Sequence, residues 1–214
     1  MWGAPNSPTI HWNTPLPTLK YKLSEDNQSY MVEGMGNYPY SNVVIPKTYQ
    51  NLPVTTILNE AFRGVSTIDS ITIPNSIIKI EQDAFLECGQ LSQVYYEGDI
   101  ASWCNIIFEN SNANPISNYK TGLYIKNSVD KYELIVNLIV PNTITEIKPY
   151  AFAKYTRLET VSISNNITTI ASNAFYECTR LTDIYIYATE DSIIGSPWGA
   201  TNPNLQIHWE GSES

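Results

Sequence analysis

The sequence predicts a β-rich solenoid (α/β class), one chain wound into stacked coils whose short strands pair parallel from coil to coil. Three observations carry this. A 13-residue phrase, I-P-N-S-I-I-K-I-E-Q-D-A-F from Ile73 to Phe85, recurs from Val140 to Phe152 and from Ile163 to Phe175. Its Ala-Phe pair, with a further copy at Ala61-Phe62, repeats at a spacing of 23 residues within each half of the chain. After each Ala-Phe comes an alternating phrase of the form L-x-x-V-x-I, such as Leu91, Val94, Tyr96 or Leu181, Ile184, Ile186. Such alternation marks a short strand with one buried face. A strand returning at so short a period stacks parallel on its predecessor.

In chain order, residues 1–18 read as the tail of a preceding module and a linker, with Pro15-Leu16-Pro17 as the linker itself. The phrase from Trp2 to Trp12 matches Trp198 to Trp209 with one gap, so the same closing phrase precedes and follows the array; the rival reading is that both ends use one loop motif within a complete protein. Residues 19–39 read as a hairpin cap: Leu19, Tyr21 and Leu23 alternate, and Tyr30 and Val32 alternate back across a polar turn, covering the first coil's open edge. The solenoid as a whole is placed at 19–187, and its first copy is stretched between Ile45 and Phe62. Asn75, Asn142 and Asn165 follow the strands, where an amide can satisfy backbone groups at the corner. Phe62, Phe85, Phe152 and Phe175 are expected to form one internal column, with Cys88 and Cys178 as small apolar fillers. The interval from Ala84 to Ala151 spans 67 residues, close to three periods, and is expected to hold two irregular units. A helical insert is placed at 99–118, with Asp99 as N-cap and Ile100, Trp103, Cys104, Ile107 and Phe108 on its apolar side. Residues 188–214 are read as a Trp-rich C-terminal cap.

The repeated phrase closely resembles the BspA-type leucine-rich repeat, over roughly residues 40–187. That resemblance implies a leucine-rich-repeat solenoid with parallel short strands on one face and short helical turns on the other, and a non-catalytic role, since such repeats typically sit in bacterial surface adhesins and in extracellular or phage-borne proteins. It brings no catalytic residues with it.

Composition narrows the function classes independently. The net charge is −9 with 12 Lys+Arg, the wrong sign for a nucleic-acid partner, and no apolar run approaches the length needed for membrane insertion. Only two histidines are present, His11 and His208, so a histidine triad or a multi-histidine metal site is not expected. The acidic pairs Glu25-Asp26, Glu81/Asp83 and Glu190-Asp191 fall in turns or on the outer surface. Gly34 and Gly36 lack the third glycine and the helix of a phosphate loop. Neither an enzyme, a cofactor nor a metal is expected. The three cysteines form no C-x-x-C pair.

What remains is a binding surface. In strand register the outward row reads Thr72, Tyr95, Tyr124, Ile139, Ser162 and Tyr185, flanked by Gln93, Glu97, Lys126, Asn137, Asp183 and Tyr187. The candidate ligand-binding residues are Tyr95, Tyr124, Tyr185, Tyr187, Gln93 and Asn137, because rings on a rigid sheet offer contact area at low entropic cost. The same rings also serve as cross-strand stabilisers. The expected function is adhesion to a host or cell-surface protein or glycan, at an extracellular, cell-surface or virion location, beside neighbouring modules of the same polypeptide. Two alternatives stand: a structural spacer in a tandem surface or tail-fibre protein, and an accessory module of a larger enzyme.

Overall fold

The computed structural model describes residues 18–189 and 192–210; the phrase from Trp2 to Trp12, the Pro15–Pro17 linker, His11 and the Glu190-Asp191 pair lie outside them. The chain forms a β-solenoid of about eight coils. Its strand face is built from β3 (Asn42–Val44), β6 (Ser70–Ile73), β8 (Gln93–Tyr96) and β10 (Gly122–Lys126), then β12 (Asn137–Val140), β14 (Thr160–Ile163), β16 (Asp183–Ile186) and β17 (Gln206–Trp209). A second face carries β2 (Tyr30–Gly34), β5 (Leu52–Ile57), β7 (Lys79–Ile80) and β9 (Ile107–Phe108), then β13 (Glu146–Ile147) and β15 (Thr169–Ile170). Pairing between coils is parallel and in register, so Ile71, Val94 and Leu123 align across β6, β8 and β10, as Leu138, Val161, Ile184 and Ile207 do across β12 to β17. Those residues point inward. Alternation therefore stacks like on like, which is why a 23-residue period suffices to specify the fold.

Along the third side, the short helical turns at each Ala-Phe take the form of consecutive tight turns. In the first, Ala61, Arg63 and Val65 N–H groups donate to Leu58, Glu60 and Phe62 carbonyls. Two residues in each of the first three such segments, Glu60 and Gly64, Asp83 and Glu87, Tyr150 and Lys154, take a left-handed backbone. The turns also stack by main-chain bonds, Phe62 N–H to Ala84 and Phe152 N–H to Ala174. The phenylalanines form two columns rather than one: Phe62 on Phe85 at 5.2 Å and Phe152 on Phe175 at 5.9 Å. Cys88 and Cys178 are buried and their thiols donate to the Phe62 and Phe152 carbonyls, each at 3.0 Å. Burial pushes both thiols up, to about 11 and about 12 respectively.

At the N-terminus, β1 (Lys20–Leu23) pairs antiparallel with β2 and thereby extends the second face. Among the described residues this leaves β3 at the edge of the strand face, with Val44 exposed. The returning chain crosses Thr18 and Leu19 so closely at Gly36 (φ +55°) that a Cβ there would meet the Thr18 carbonyl at 2.6 Å. The stretched first copy holds β4 (Thr48–Tyr49), which turns back onto β5 through Gln50 and Asn51, both at positive φ, as a two-residue type I′ hairpin requires. The corner bonds expected from Asn75, Asn142 and Asn165 come instead from their neighbours. Ser76 donates to Val54 O at 2.7 Å and Asn166 to Asn142 O at 2.7 Å, while the three asparagines stay exposed.

The helical insert is shorter than its apolar pattern predicts. Helix α1 covers Ile100–Cys104, capped by Asp99, whose carboxylate accepts from Ser102 N–H at 2.8 Å. Ile107 and Phe108 leave the helix to pair with Lys79 and Ile80, because the open edge of β7 offers main-chain partners. Ile107 is consequently exposed. Two single 3₁₀ turns follow, Ser111–Ala113 and Pro115–Ser117, capped by the Asn110 and Asn114 side chains. At the other end, the Trp-rich segment expected as a cap contributes β17, a further strand parallel to β16, while Trp198 is fully buried and donates to Ile194 O at 2.9 Å.

Candidate ligand-binding face

The strand face is not continuous. β10 pairs on its far side with β11 (Tyr132–Leu134), an antiparallel return that occupies the edge β12 would otherwise take. The second face breaks at the same level, between β9 and β13. Among the described residues no main-chain hydrogen bond crosses between these two stacks. Side chains cross instead. Trp103 Nε1 donates to Ala151 O at 2.8 Å, and Asn114 Nδ2 to both Tyr150 O and Ala151 O at 2.9 Å. The Tyr155 hydroxyl accepts from Leu123 N–H at 3.1 Å and donates to Ile135 O at 2.5 Å, while Thr156 and Arg157 bond the Tyr119 and Lys120 carbonyls.

This seam sorts the candidate residues into two groups. In the first stack, Thr72, Tyr95 and Tyr124 lie in register, and Tyr132 joins them from β11. Tyr95 sits 5.1 Å from Tyr124 and 5.0 Å from Tyr132, the latter edge-on at 67°. Gly122 is what permits this: a Cβ there would meet Leu134 Cδ1 at 2.7 Å and the Tyr124 ring at 3.0 Å. Gln93 is in register with Gly122 and Ser70, at the start of the same row. Lys126 lies 5.5 Å from the Tyr132 ring centroid and pairs with Asp130 at 2.8 Å.

In the second stack the row reads Ile139, Ser162, Tyr185 and His208. Tyr185 stacks on His208 at 4.5 Å and 11°, and His208 Nε2 lies 2.9 Å from Asp183 Oδ1. That hydrogen bond holds the Asp183 carboxyl below the usual range. Asn137 accepts from Thr160 Oγ1 at 2.8 Å, and Tyr187 is exposed at the corner beyond β16. The six candidates are thus not brought to one place: Gln93, Tyr95 and Tyr124 stand on one side of the seam, Asn137, Tyr185 and Tyr187 on the other.

What sequence reasoning missed lies between them. A groove of about 400 Å³ opens where the sheets part, with apolar walls from Ile100, Ile125, Ile135, Ile139 and Pro141 and a polar rim that includes Lys126 and Glu133. Ile139 is 72% exposed there. The one sign of the groove in the sequence is spacing: Leu123 to Leu138 is 15 residues, where a regular coil takes 23.

The acidic pairs serve local structure. Asp26 accepts from Ser24 and Gln28 in the hairpin turn, Glu81 pairs with Lys79 at 3.0 Å, and Asp83 accepts from Asn110 and Asn112. Among the described residues there is no cluster of His, Cys, Asp or Glu fit to hold a metal, and no helix long and apolar enough to cross a membrane.

With coil, turn and register in view, the family profile described as "BspA type Leucine rich repeat region" matches residues 33–131 and 123–197 in 6 copies. The chain belongs to the BspA-type leucine-rich repeat family. A leucine-rich repeat protein of T. pallidum superposes with a TM-score of 0.55 at 18% identity, covering 92% of this chain and 81% of that one. One from Bacteroides ovatus gives 0.46 at 18% identity, over 81% of this chain and 47% of its own. A leucine rich cell surface protein from Faecalibacterium prausnitzii gives 0.27 at 13%, over 98% and 97%. No curated protein sequence matches the chain. At such identities the T. pallidum likeness concerns the fold. In this BspA-type solenoid the repeat gives way at the seam to Trp103, Asn114 and Tyr155.

Proposed function

We propose that this BspA-type solenoid is a non-enzymatic recognition module, displayed at a cell or virion surface, that takes an extended segment of a partner protein into the groove at the seam. The observation that carries the reading is the exposed Ile139, set against Ile135 and Pro141 beside the Tyr95, Tyr124 and Tyr132 cluster. Isolated apolar exposure needs no explanation, whereas an apolar groove flanked by aromatic rings and a charged rim has the composition of a protein-binding patch. A protein is favoured over a glycan because Tyr95, Tyr124 and Tyr132 pack tilted and edge-on against one another, so that each spends part of its face on its neighbours. Family membership supports an interaction role, and Lys126 and Glu133 supply opposite charges for orienting a peptide backbone.

Peptide and glycan arrays probed with the native chain, Ile139→Asp and Tyr95→Ala test this. Peptide binding that both substitutions weaken by about tenfold or more, a change of ~1.4 kcal/mol, supports it. Binding that survives Ile139→Asp, or glycan capture alone, overturns it. No capture on either array transfers the reading to a structural spacer, which the repeated closing phrase at Trp198–Trp209 also favours.

A further inference from the structure

We propose that the free edge of β17 is a docking surface for the segment Trp2–Trp12 of a second copy of this chain, which adds to the sheet as one further parallel strand and joins copies head to tail. Among the described residues β17 ends its sheet, bonded to β16 on one side only. Gln206 and Glu210 N–H donate across to Thr182 and Ile186, so by the alternation of a parallel ladder the Ile207 and Trp209 N–H groups face the open side. An open edge of this kind is a template for another strand.

The register of the stack dictates what fits. Ile207 lies on Ile184 and His208 on Tyr185, so the next strand must offer an apolar residue and a ring at the same spacing. Ile10-His11-Trp12 repeats Ile207-His208-Trp209. The turn side makes a second demand. There the Trp198 and Gly199 carbonyls accept from Phe175 and Glu177, and Gly199, at φ +87°, approaches Tyr176 and Ser172 so closely that a Cβ would meet both at 3.0 Å. A coil seated at this level needs glycine, and Trp2-Gly3-Ala4 supplies it at the position of Trp198-Gly199-Ala200. The segment carries no Asp, Glu, Lys or Arg, so it meets the end of an acidic chain without repulsion.

Reach decides for a second copy. Six paired steps of about 4.8 Å, three in each stack from β3 to β10 and from β12 to β17, separate the ends of the strand face by roughly 29 Å before the seam is added. The six residues Asn13–Thr18 span at most about 22 Å fully extended. A chain's own segment therefore falls short of its own β17.

The test is sedimentation velocity of the full chain over a micromolar concentration series, beside a chain lacking residues 1–12 and a Trp209→Pro chain. A synthetic peptide of residues 1–14 is titrated into the shortened chain. Proline at 209 removes an edge donor without touching the bonds to β16. The expected result is concentration-dependent oligomers of the full chain, monomers of both altered chains, and peptide binding that Trp209→Pro weakens by about tenfold or more. Because Trp209 also packs on the core, circular dichroism must first show both altered chains folded; the shortened chain, which keeps every described residue, stands as the independent control. A monomeric full chain, or equal association of the shortened chain, overturns the proposal. Ile139→Asp leaves association unchanged, which separates this edge from the groove.

Discussion

From β12 to β17 each coil is tied to the next by main-chain bonds and repeats the inward residue of its neighbour, Leu138, Val161, Ile184, Ile207. Between β10 and β12 the coils are joined by Trp103, Asn114 and Tyr155, which the repeat does not carry, and by Thr156 and Arg157, which return 23 residues on as Thr179 and Arg180. The two regions show two ways of stacking a coil. A main-chain ladder tolerates many side chains, so it is built from a repeat and extends indefinitely. A side-chain seam is particular to its residues; it ends one stack, starts another, and leaves open the groove that a continuous sheet would fill.

The comparison is broken most forcefully at Trp103. It is fully buried, packs edge-on against Tyr96 at 5.1 Å and bonds across the seam, so Trp103→Ala is expected to cost about 3–5 kcal/mol in urea unfolding. Tyr155→Phe removes one hydroxyl and strands the Leu123 N–H and the Ile135 carbonyl; a loss of about 1–3 kcal/mol is expected by the same measurement. Tyr96→Phe sharpens the contrast from the other side. The Tyr96 hydroxyl is buried without a partner, its neighbour Ser102 being turned to Asp99, so the thermal midpoint is expected to hold or rise.

The smallest effect belongs to the regular stack. The hydrogen bond from His208 lowers the Asp183 carboxyl from its ordinary 3.8, so this pair adds stability above that value. The contribution is lost as pH falls through the depressed folded value. Asp183→Asn is expected to flatten the acid limb of the melting-temperature profile slightly, as a thermal melt series against pH would show.

How much of this was legible in the sequence follows the same division. Phe62, Phe85, Phe152 and Phe175 marked the turns, and the inward strand residues marked the register, because both obey the period. Asp99 marked the start of α1 through its local cap chemistry. The end of α1 was not legible: Ile107 and Phe108 continue the helical apolar spacing, and only the tertiary offer of the β7 edge turns them into strand. The single row of six outward residues failed for a related reason. Ile135, Leu138 and Val140 look like the next coil, whereas β11 intervenes and shifts Ile139, Ser162 and Tyr185 to another sheet. Tyr132, outside any repeat, carried no sign of its place beside Tyr95.

The buried thiols offer a direct reading of whether the seam couples two stacks. Cys88 lies in the first, Cys178 in the second and Cys104 in α1 at the seam, and burial pushes them up to about 11, 12 and 12, leaving them inert while folded. Pulsed alkylation along a urea series, read by mass spectrometry, reports each region separately. The native chain is expected to expose all three at one midpoint. In Trp103→Ala, Cys104 is expected to react first, with Cys88 and Cys178 at separate midpoints thereafter. A common midpoint for Cys88 and Cys178 in that variant would contradict the division of the solenoid into two stacks joined by side chains.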